Sequence, residues 1–284
     1  MMKPMILYHA NCIDGFGAAF AAFEKFRGGG KNPCDFIAAA YGEDPPECEG
    51  RDVYLLDFSY KRMELIKLCD AAKSVTIIDH HVTAQNDLSG LDKEYDNLNI
   101  VFDMEKSGAV LAWEYFHAVT PPKLLYYIQD RDLWRFEFKD TNDIYAALMS
   151  RPHDFLHWSR LVGSEEKLSL FVKEGKAINR YRSRMIEAYK KRSVISNIAG
   201  YKVPVVNCPG AIASDLLGSL AKGRPFAAGY QDVGTKRNWS LRSTDDGEDV
   251  SRIAEKLGGG GHRNAAGFSV SLDKSVISVI VPST

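Results

Sequence analysis

Short apolar runs, rich in β-branched residues and closed by an acid or a histidine, recur through the first hundred residues. Residues 4–9, Cys34 to Ala40, 52–57, 74–79 and Ile100 to Asp103 each have the length and composition of a buried strand. Between them the period lengthens. Phe16 to Phe26 is alanine-rich with apolar residues on most faces, and Gly28-Gly29-Gly30 stops it. Lys61 to Ala72 presents Met63, Ile66 and Leu68-Cys69 on one face. The acidic, proline-containing stretch Tyr41 to Gly50 and polar residues 82–98 read as loops. Ser107 is placed to cap a helix running to about His117, and Pro121-Pro122 opens another ending near Asp130. Helical periodicity then continues to about Arg192, its last segment spanning roughly 168–192.

From residue 193 the pattern changes. Strands are expected at 193–198, 202–206, 225–230, 237–243, 267–271 and 275–281, with helices at 211–222 and 249–257. The fold class is therefore α/β in two domains, 1–190 and 196–284, joined near 190–196. Strands alternating with helices predict a doubly wound parallel sheet in the first domain. The second is a smaller α/β unit with a mixed sheet.

The 284 residues are 45% hydrophobic with a formal net charge of -1, so no global field favours a polyanion and any such binding is local. Cys12, Cys34, Cys48, Cys69 and Cys208 form no CxxC pair, and an odd count fits a reducing compartment. The N-terminus lacks a signal-peptide core and no run reaches membrane-span length, so a cytoplasmic protein without membrane contact is expected. The basic stretch Arg180, Arg182, Arg184, Lys190, Lys191 and Arg192 is interspersed with acids and suits a solvated helix better than a nucleic-acid surface.

The strand endings carry the chemistry. Val75 to Ile78 runs into Asp79-His80-His81, Val53 to Leu56 into Asp57, and Ile6 to Tyr8 into His9, with Asp14 soon after. In open α/β sheets ligands gather beyond the carboxyl ends of strands. Asp130 and Asp132 add two acids beside large aromatics. Asp57 has a second reading as a helix cap, and Asp130 as a cap or a partner of Arg131 or Arg135. Carboxylates and imidazoles without thiolate clusters suit a hard to borderline divalent ion, and bridging carboxylates favour a pair: Mn²⁺ first, with Mg²⁺ or Co²⁺ as substitutes.

A second signal is Gly258 to Gly261 followed by His262-Arg263-Asn264-Ala265-Ala266-Gly267. Glycine amides approach an anion closely, and the histidine and arginine add charge for phosphate, so Gly260, Gly261, His262 and Arg263 form a candidate cradle. Arg242 faces either this site or solvent. Trp134, Trp239 and Tyr230 are either core or base-stacking residues.

Together these motifs resemble the DHH phosphoesterase superfamily, whose signature stands here as Asp79-His80-His81, with the DHH-associated C-terminal domain at 258–267. The resemblance spans nearly the whole chain in family order, within the oligoribonuclease (nano-RNase) and dinucleotide-hydrolase branch. It implies a di-manganese site in the first domain and an active site in the cleft between domains. It makes His9, Asp14, Asp57, His80 and Asp130 the metal ligands, with Asp57 bridging. Asp79 and His81 would hold His80 or touch substrate, and His262 and Arg263 would bind a terminal phosphate. Asp130 fits better than Asp132, because Trp134-Arg135-Phe136 then falls on the family's aromatic-basic-aromatic run. Where the family's first loop carries a second acid this chain has Cys12, a ligand or a bystander.

The expected activity is metal-dependent hydrolysis of short oligonucleotides or linear dinucleotides to nucleoside monophosphates by a hydroxide activated between the ions, with Asp79, His80 and His81 catalytic. The alternatives are a phosphomonoesterase acting on 3′-phosphoadenosine 5′-phosphate, an exopolyphosphatase-like hydrolase, or a non-catalytic nucleotide- or RNA-binding paralogue. The expected partner is the short oligonucleotide or dinucleotide substrate. No obligate protein partner is implied, and a homodimer is compatible with the sequence.

Overall fold

A computed structural model describes residues 2–29 and 34–272. The chain divides into two compact units, the first ending at Asn179 and the second beginning at Arg180, inside a long helix rather than after it at 190–196.

Among the described residues the first unit carries β1 (Met5–His9), β2 (Asp35–Ala39), β3 (Asp52–Leu56), β4 (Ser74–Asp79) and β5 (Leu98–Phe102). They form one sheet in the order β2-β1-β3-β4-β5, with every pair parallel. Strand side chains alternate between faces, and both faces are apolar. Ile6, Leu56 and Ile78 join one core with the helices α1 (Ile13–Phe26), α4 (Gly108–Phe116), α5 (Lys123–Asp132), α6 (Thr141–Met149), α7 (Phe155–Val162) and the start of α8 (Glu165–Lys190). Met5, Leu7, Val53, Leu55, Val75 and Ile77 join the other, beneath α2 (Arg62–Ala71). Apolar runs with no polar alternation are what a sheet covered on both sides requires.

The polar stretch 82–98 is not all loop. It contains α3 (Val82–Asp87) and a short 3₁₀ turn at Leu91–Lys93. α3 buries no side chain of its own, so no apolar stripe marked it in the sequence.

The second unit carries β6 (Val194–Ile198), β7 (Tyr201–Asn207), β8 (Ala227–Val233), β9 (Lys236–Arg242), β10 (Gly260–His262) and β11 (Ala265–Ser271), with α9 (Gly210–Ala221) and α10 (Val250–Lys256). Its described strands form a mixed sheet, β10-β11-β9-β8-β7-β6, in which only β7 and β8 run parallel. The strand expected at 275–281 lies outside the described residues. The glycine run is partly strand, because β10 pairs antiparallel with β11.

Candidate metal centre

β1, β3 and β4 are parallel neighbours, so their carboxyl ends share one edge. There β1 ends in His9, β3 gives way to Asp57, and β4 ends in Asp79 ahead of His80 and His81. Asp57 has φ 54, in the left-handed region that aspartate tolerates but pays for. Its amide still donates to Ile78 O at 2.9 Å, so the chain turns sharply without leaving β4. The cap reading of Asp57 does not hold: α2 starts at Arg62 behind Lys61.

The Asp57 carboxylate is buried and faces two donor sets. Oδ1 lies 3.0 Å from His80 Nε2. Oδ2 lies 3.6 Å from His9 Nδ1 and receives the Cys12 thiol at 3.6 Å. On the Oδ1 side, His80 Nε2 also sits 3.6 Å from Asp14 Oδ2 and 3.5 Å from Asp132 Oδ2. Three carboxylates thus converge on one imidazole nitrogen, and a fourth group of donors lies across Asp57.

Asp14 is fixed from behind by the start of α4. Gly108 N donates to its Oδ2 at 2.6 Å and Ala109 N to its Oδ1 at 3.1 Å. Ser107 caps that helix, accepting from Val110 N. The approach is close enough that a Cβ on Gly108 would stand 2.5 Å from Asp57 Cβ, and one on Gly15 would stand 2.5 Å from His9 O. These glycines are part of the centre, although their side chains contribute nothing to it.

Asp79 is fully buried and holds the triplet in shape. Its Oδ1 accepts from His80 N at 2.7 Å and pairs with His81 Nδ1 at 2.6 Å, while Oδ2 accepts from Ser59 Oγ at 3.1 Å. With its oxygens so committed, Asp79 orients the two histidines and leaves His81 Nε2 as the ring's other proton site.

The electrostatics follow from crowding acids out of water. Burial, then the charges of Asp57 and Asp132, pushes the Asp14 carboxyl well above its ordinary range. Burial and the charge of Asp57 also raise the Asp132 carboxyl. Burial, the largest single influence, would raise Asp57 too, but the hydrogen bonds with His80 and His9 and the charges of His80 and His81 together outweigh it and bring the group down to about 2. His80 is pushed up to about 9: burial opposes its charge, and the Asp57 hydrogen bond with the surrounding carboxylates overcomes that. Burial, then Asp57 and Asp14, raises the Cys12 thiol, which therefore stands as a donor rather than a thiolate.

The donor set fits divalent cations. His9 Nδ1 is buried without a hydrogen-bond partner, and unpartnered buried polar atoms are rare. His9, Cys12 and Asp57 bring ligand atoms within 4.8 Å of one another, and so do Asp14, His80 and Asp132. Asp57 belongs to the first set and touches the second through His80 Nε2, 3.0 Å from its Oδ1, so its two oxygens face both.

Two expectations about site residues are corrected. Asp130 does not reach the centre. It accepts from Glu137 N at 2.7 Å, from Phe138 N at 3.2 Å and from the Thr141 hydroxyl, so its oxygens shape the loop after α5. Asp132, ranked second from sequence, is the acid that faces His80, because one helical turn does not separate positions two apart but turns them to different faces. In the second unit His262 and Arg263 are placed apart. His262 registers with Ala265 and Ala265 with Arg242, so His262 and Arg242 share a face two strands apart. Arg263 donates to Asp245 O at 3.1 Å and Gly247 O at 3.3 Å, in the loop before α10. Arg242 donates to Leu241 O and, at 2.9 Å, to Ser214 Oγ of α9. Close packing explains part of the glycine run: a Cβ on Gly259 would collide with Gly267 O, and one on Gly261 would stand 2.5 Å from Ala266 Cα. A Cβ on Gly260 would meet nothing, so packing does not account for that glycine.

Three of the six basic residues at 180–192 have partners within the second unit. Arg182 pairs with Asp215 at 2.6 Å, Lys190 with Glu187 at 2.6 Å, and Arg192 lies over Tyr189. Trp239 is core, stacked on Phe268 and packed against Tyr230. Trp134 is not core and stands exposed.

No family model matches the chain. A protein of Acanthamoeba polyphaga mimivirus, uncharacterized protein R106, is 32% identical over 288 residues, covering 94% of this chain and 67% of the relative. Oligoribonuclease NrnB of Bacillus subtilis (strain 168) is 25% identical over 296 residues, covering 93% of this chain and 72% of the relative. Among solved structures, the DHH domain of a member of the s1p family of ribosomal proteins superposes with TM-score 0.57 at 14% identity, over 98% of this chain and 85% of that one. The pGpG-specific phosphodiesterase PggH from Vibrio cholerae superposes with TM-score 0.54 at 12% identity, over 98% and 96% of the two chains. The chain is a relative of the mimivirus protein, and with Asp79-His80-His81 at the end of β4 and the parallel sheet around it, it has the fold of the DHH domain it superposes on. Among the described residues no helix is long and apolar enough to cross a membrane.

Proposed function

We propose that this protein is a Mn²⁺-dependent phosphodiesterase that cleaves short oligonucleotides or linear dinucleotides to nucleoside monophosphates. The observation that carries the reading is the pair of donor sets faced by the two oxygens of buried Asp57, in a chain related to an oligoribonuclease. His9, Asp14, Asp57, His80 and Asp132 would hold the ions, with Cys12 beside them as a thiol donor. Bound ions would neutralise phosphoryl charge and lower the pKa of water. His81, oriented by Asp79 and partly open to solvent, would move a proton through Nε2 to the leaving oxygen. Arg242 and His262, on one face of the second sheet, with the open backbone at Gly260, would form a phosphate-binding pocket of the second unit. Arg263 would act on that pocket through the loop it ties.

The test is turnover of di- to pentanucleotides, linear and cyclic dinucleotides, 3′-phosphoadenosine 5′-phosphate and polyphosphate, each with Mn²⁺, Mg²⁺ or Co²⁺, and with products identified by chromatography. Nucleoside monophosphate released from a linear dinucleotide, and lost in Asp57→Ala, supports the reading. Inorganic phosphate from the bisphosphate or polyphosphate, with dinucleotides untouched, replaces it with a phosphomonoesterase or polyphosphate hydrolase. Binding without any turnover makes the protein a non-catalytic paralogue.

A further inference from the structure

We propose that the Trp134 indole is a stacking platform for a nucleobase of the bound substrate. The inference rests on the reading of the centre as one that acts on nucleotides, and names how such a substrate is gripped.

Trp113, Trp158 and Trp239 are 7%, 2% and 4% exposed, whereas Trp134 is 66% exposed. An indole left in water forgoes the burial that normally places it and keeps a face available to a ligand. The backbone beneath it is strained: Trp134 has φ 55 and Phe136 φ 53, a region bulky side chains avoid. Such strain persists only where the surroundings over-determine it, and it clusters at ligand clamps. Here the restraint is visible. Asp130 O accepts from Arg135 N at 3.0 Å, the Asp130 carboxylate accepts from Glu137 N and Phe138 N, and Arg135 donates to Glu105 O at 2.8 Å.

The ring itself is also fixed. The Arg131 guanidinium lies 4.7 Å from its centroid, and Phe136 stands edge-on at 5.5 Å. At 66% exposure the indole still offers a free surface against which a base can lie. The location suits the substrate. Trp134 follows Asp132 by two residues, so its Cα is within about 7.6 Å of the Asp132 Cα, and Asp132 Oδ2 is 3.5 Å from His80 Nε2. A base attached near a phosphate at the centre is within reach. Base–aromatic stacking tolerates any base, and it supplies affinity to a protein whose net charge of -1 offers no general attraction for a polyanion.

Two measurements on the full chain test this. Trp134 is the exposed indole among four, so titration with adenosine 5′-monophosphate should quench tryptophan emission, and ribose 5-phosphate, which lacks a base, should not. Trp134→Leu should abolish the quench, and Trp134→Tyr should keep nucleotide affinity by retaining a ring. In turnover of a linear dinucleotide, Trp134→Leu should raise KM about tenfold or more, the loss of one stack, with a smaller change in kcat and recovery in Trp134→Tyr. Equal quenching in wild type and Trp134→Leu, or a KM within about twofold of wild type, overturns the platform. The two readings fail separately. Dinucleotide cleavage with an unmoved KM removes the platform and leaves the hydrolase, whereas base-dependent quenching without cleavage leaves the platform and removes the hydrolase.

Discussion

Gly108→Ala is the substitution for which two opposing effects can be weighed from the structure. Replacing a glycine in a helix interior gains about 1 kcal/mol of helix propensity, which is an upper bound at Gly108, the first residue of α4. At Gly108 the new Cβ would stand 2.5 Å from Asp57 Cβ and 2.8 Å from its Cγ and Oδ1. Comfortable carbon–carbon separation is about 3.5–4.0 Å, so something must move by roughly 1 Å. Asp57 is held by His80 at 3.0 Å and by its own amide on Ile78 O at 2.9 Å. If α4 retreats instead, it stretches the Gly108 and Ala109 amides away from Asp14. Overpacking of this kind costs about 1–3 kcal/mol, which the propensity gain offsets only in part, so thermal stability should fall by a few degrees. Function has no such offset: a misplacement of about 1 Å at a reacting centre costs on the order of 10²-fold in rate. Gly218→Ala in α9 is the control, because a Cβ there meets nothing within 4 Å. It should raise Tm slightly with turnover unchanged. The assay is thermal melting with and without Mn²⁺, alongside kcat/KM on the best substrate found. Gly108→Ala with wild-type turnover and a wild-type Mn²⁺-induced gain in Tm would refute the close-approach argument.

Asp130 and Asp132 should separate cleanly. Asp130→Ala strands the buried Thr141 hydroxyl, at about 1–3 kcal/mol for a buried group left unsatisfied, and frees two half-buried amides to water, so it should lower Tm in the metal-free protein. Asp132→Asn removes one of the carboxylates crowding His80, so melting without metal should hold or rise while the Mn²⁺-induced gain in Tm and most turnover disappear; the reverse pattern would return the ligand role to Asp130. Gly175→Ala should destabilise the first unit by about 1–3 kcal/mol or more, because its Cβ would collide with the Asp143 carbonyl at the α6–α8 contact. Unchanged melting in that variant would show the contact to be loose.

Much of this protein was legible before any coordinates. Uninterrupted β-branched runs identified the parallel strands, since a strand covered on both faces has nowhere to put a polar residue. The carboxylates and imidazoles ending β1, β3 and β4 stood out because an acid or histidine after a buried run has no packing reason to be there. What the sequence determined was therefore periodicity and type: which segments are strands, and which strand ends carry ligand chemistry. Tertiary structure decided the choices that turn on direction and distance. Asp130 and Asp132 look alike in one dimension, and only the end of α5 shows that one faces backbone amides and the other His80. Gly108 carries no chemistry of its own, yet its amide meets a carboxylate separated by 94 positions along the chain. His262 and Arg263 are adjacent in sequence and diverge in space, because β10 ends at His262 and Arg263 lies in the turn before β11, where the loop ahead of α10 holds it. Trp134 reads as core by composition and stands in water because Asp130 ties the loop beneath it. Composition and spacing are local properties of the chain, whereas a side chain's partner is settled by segments far away in sequence, and that is where the centre acquires its shape.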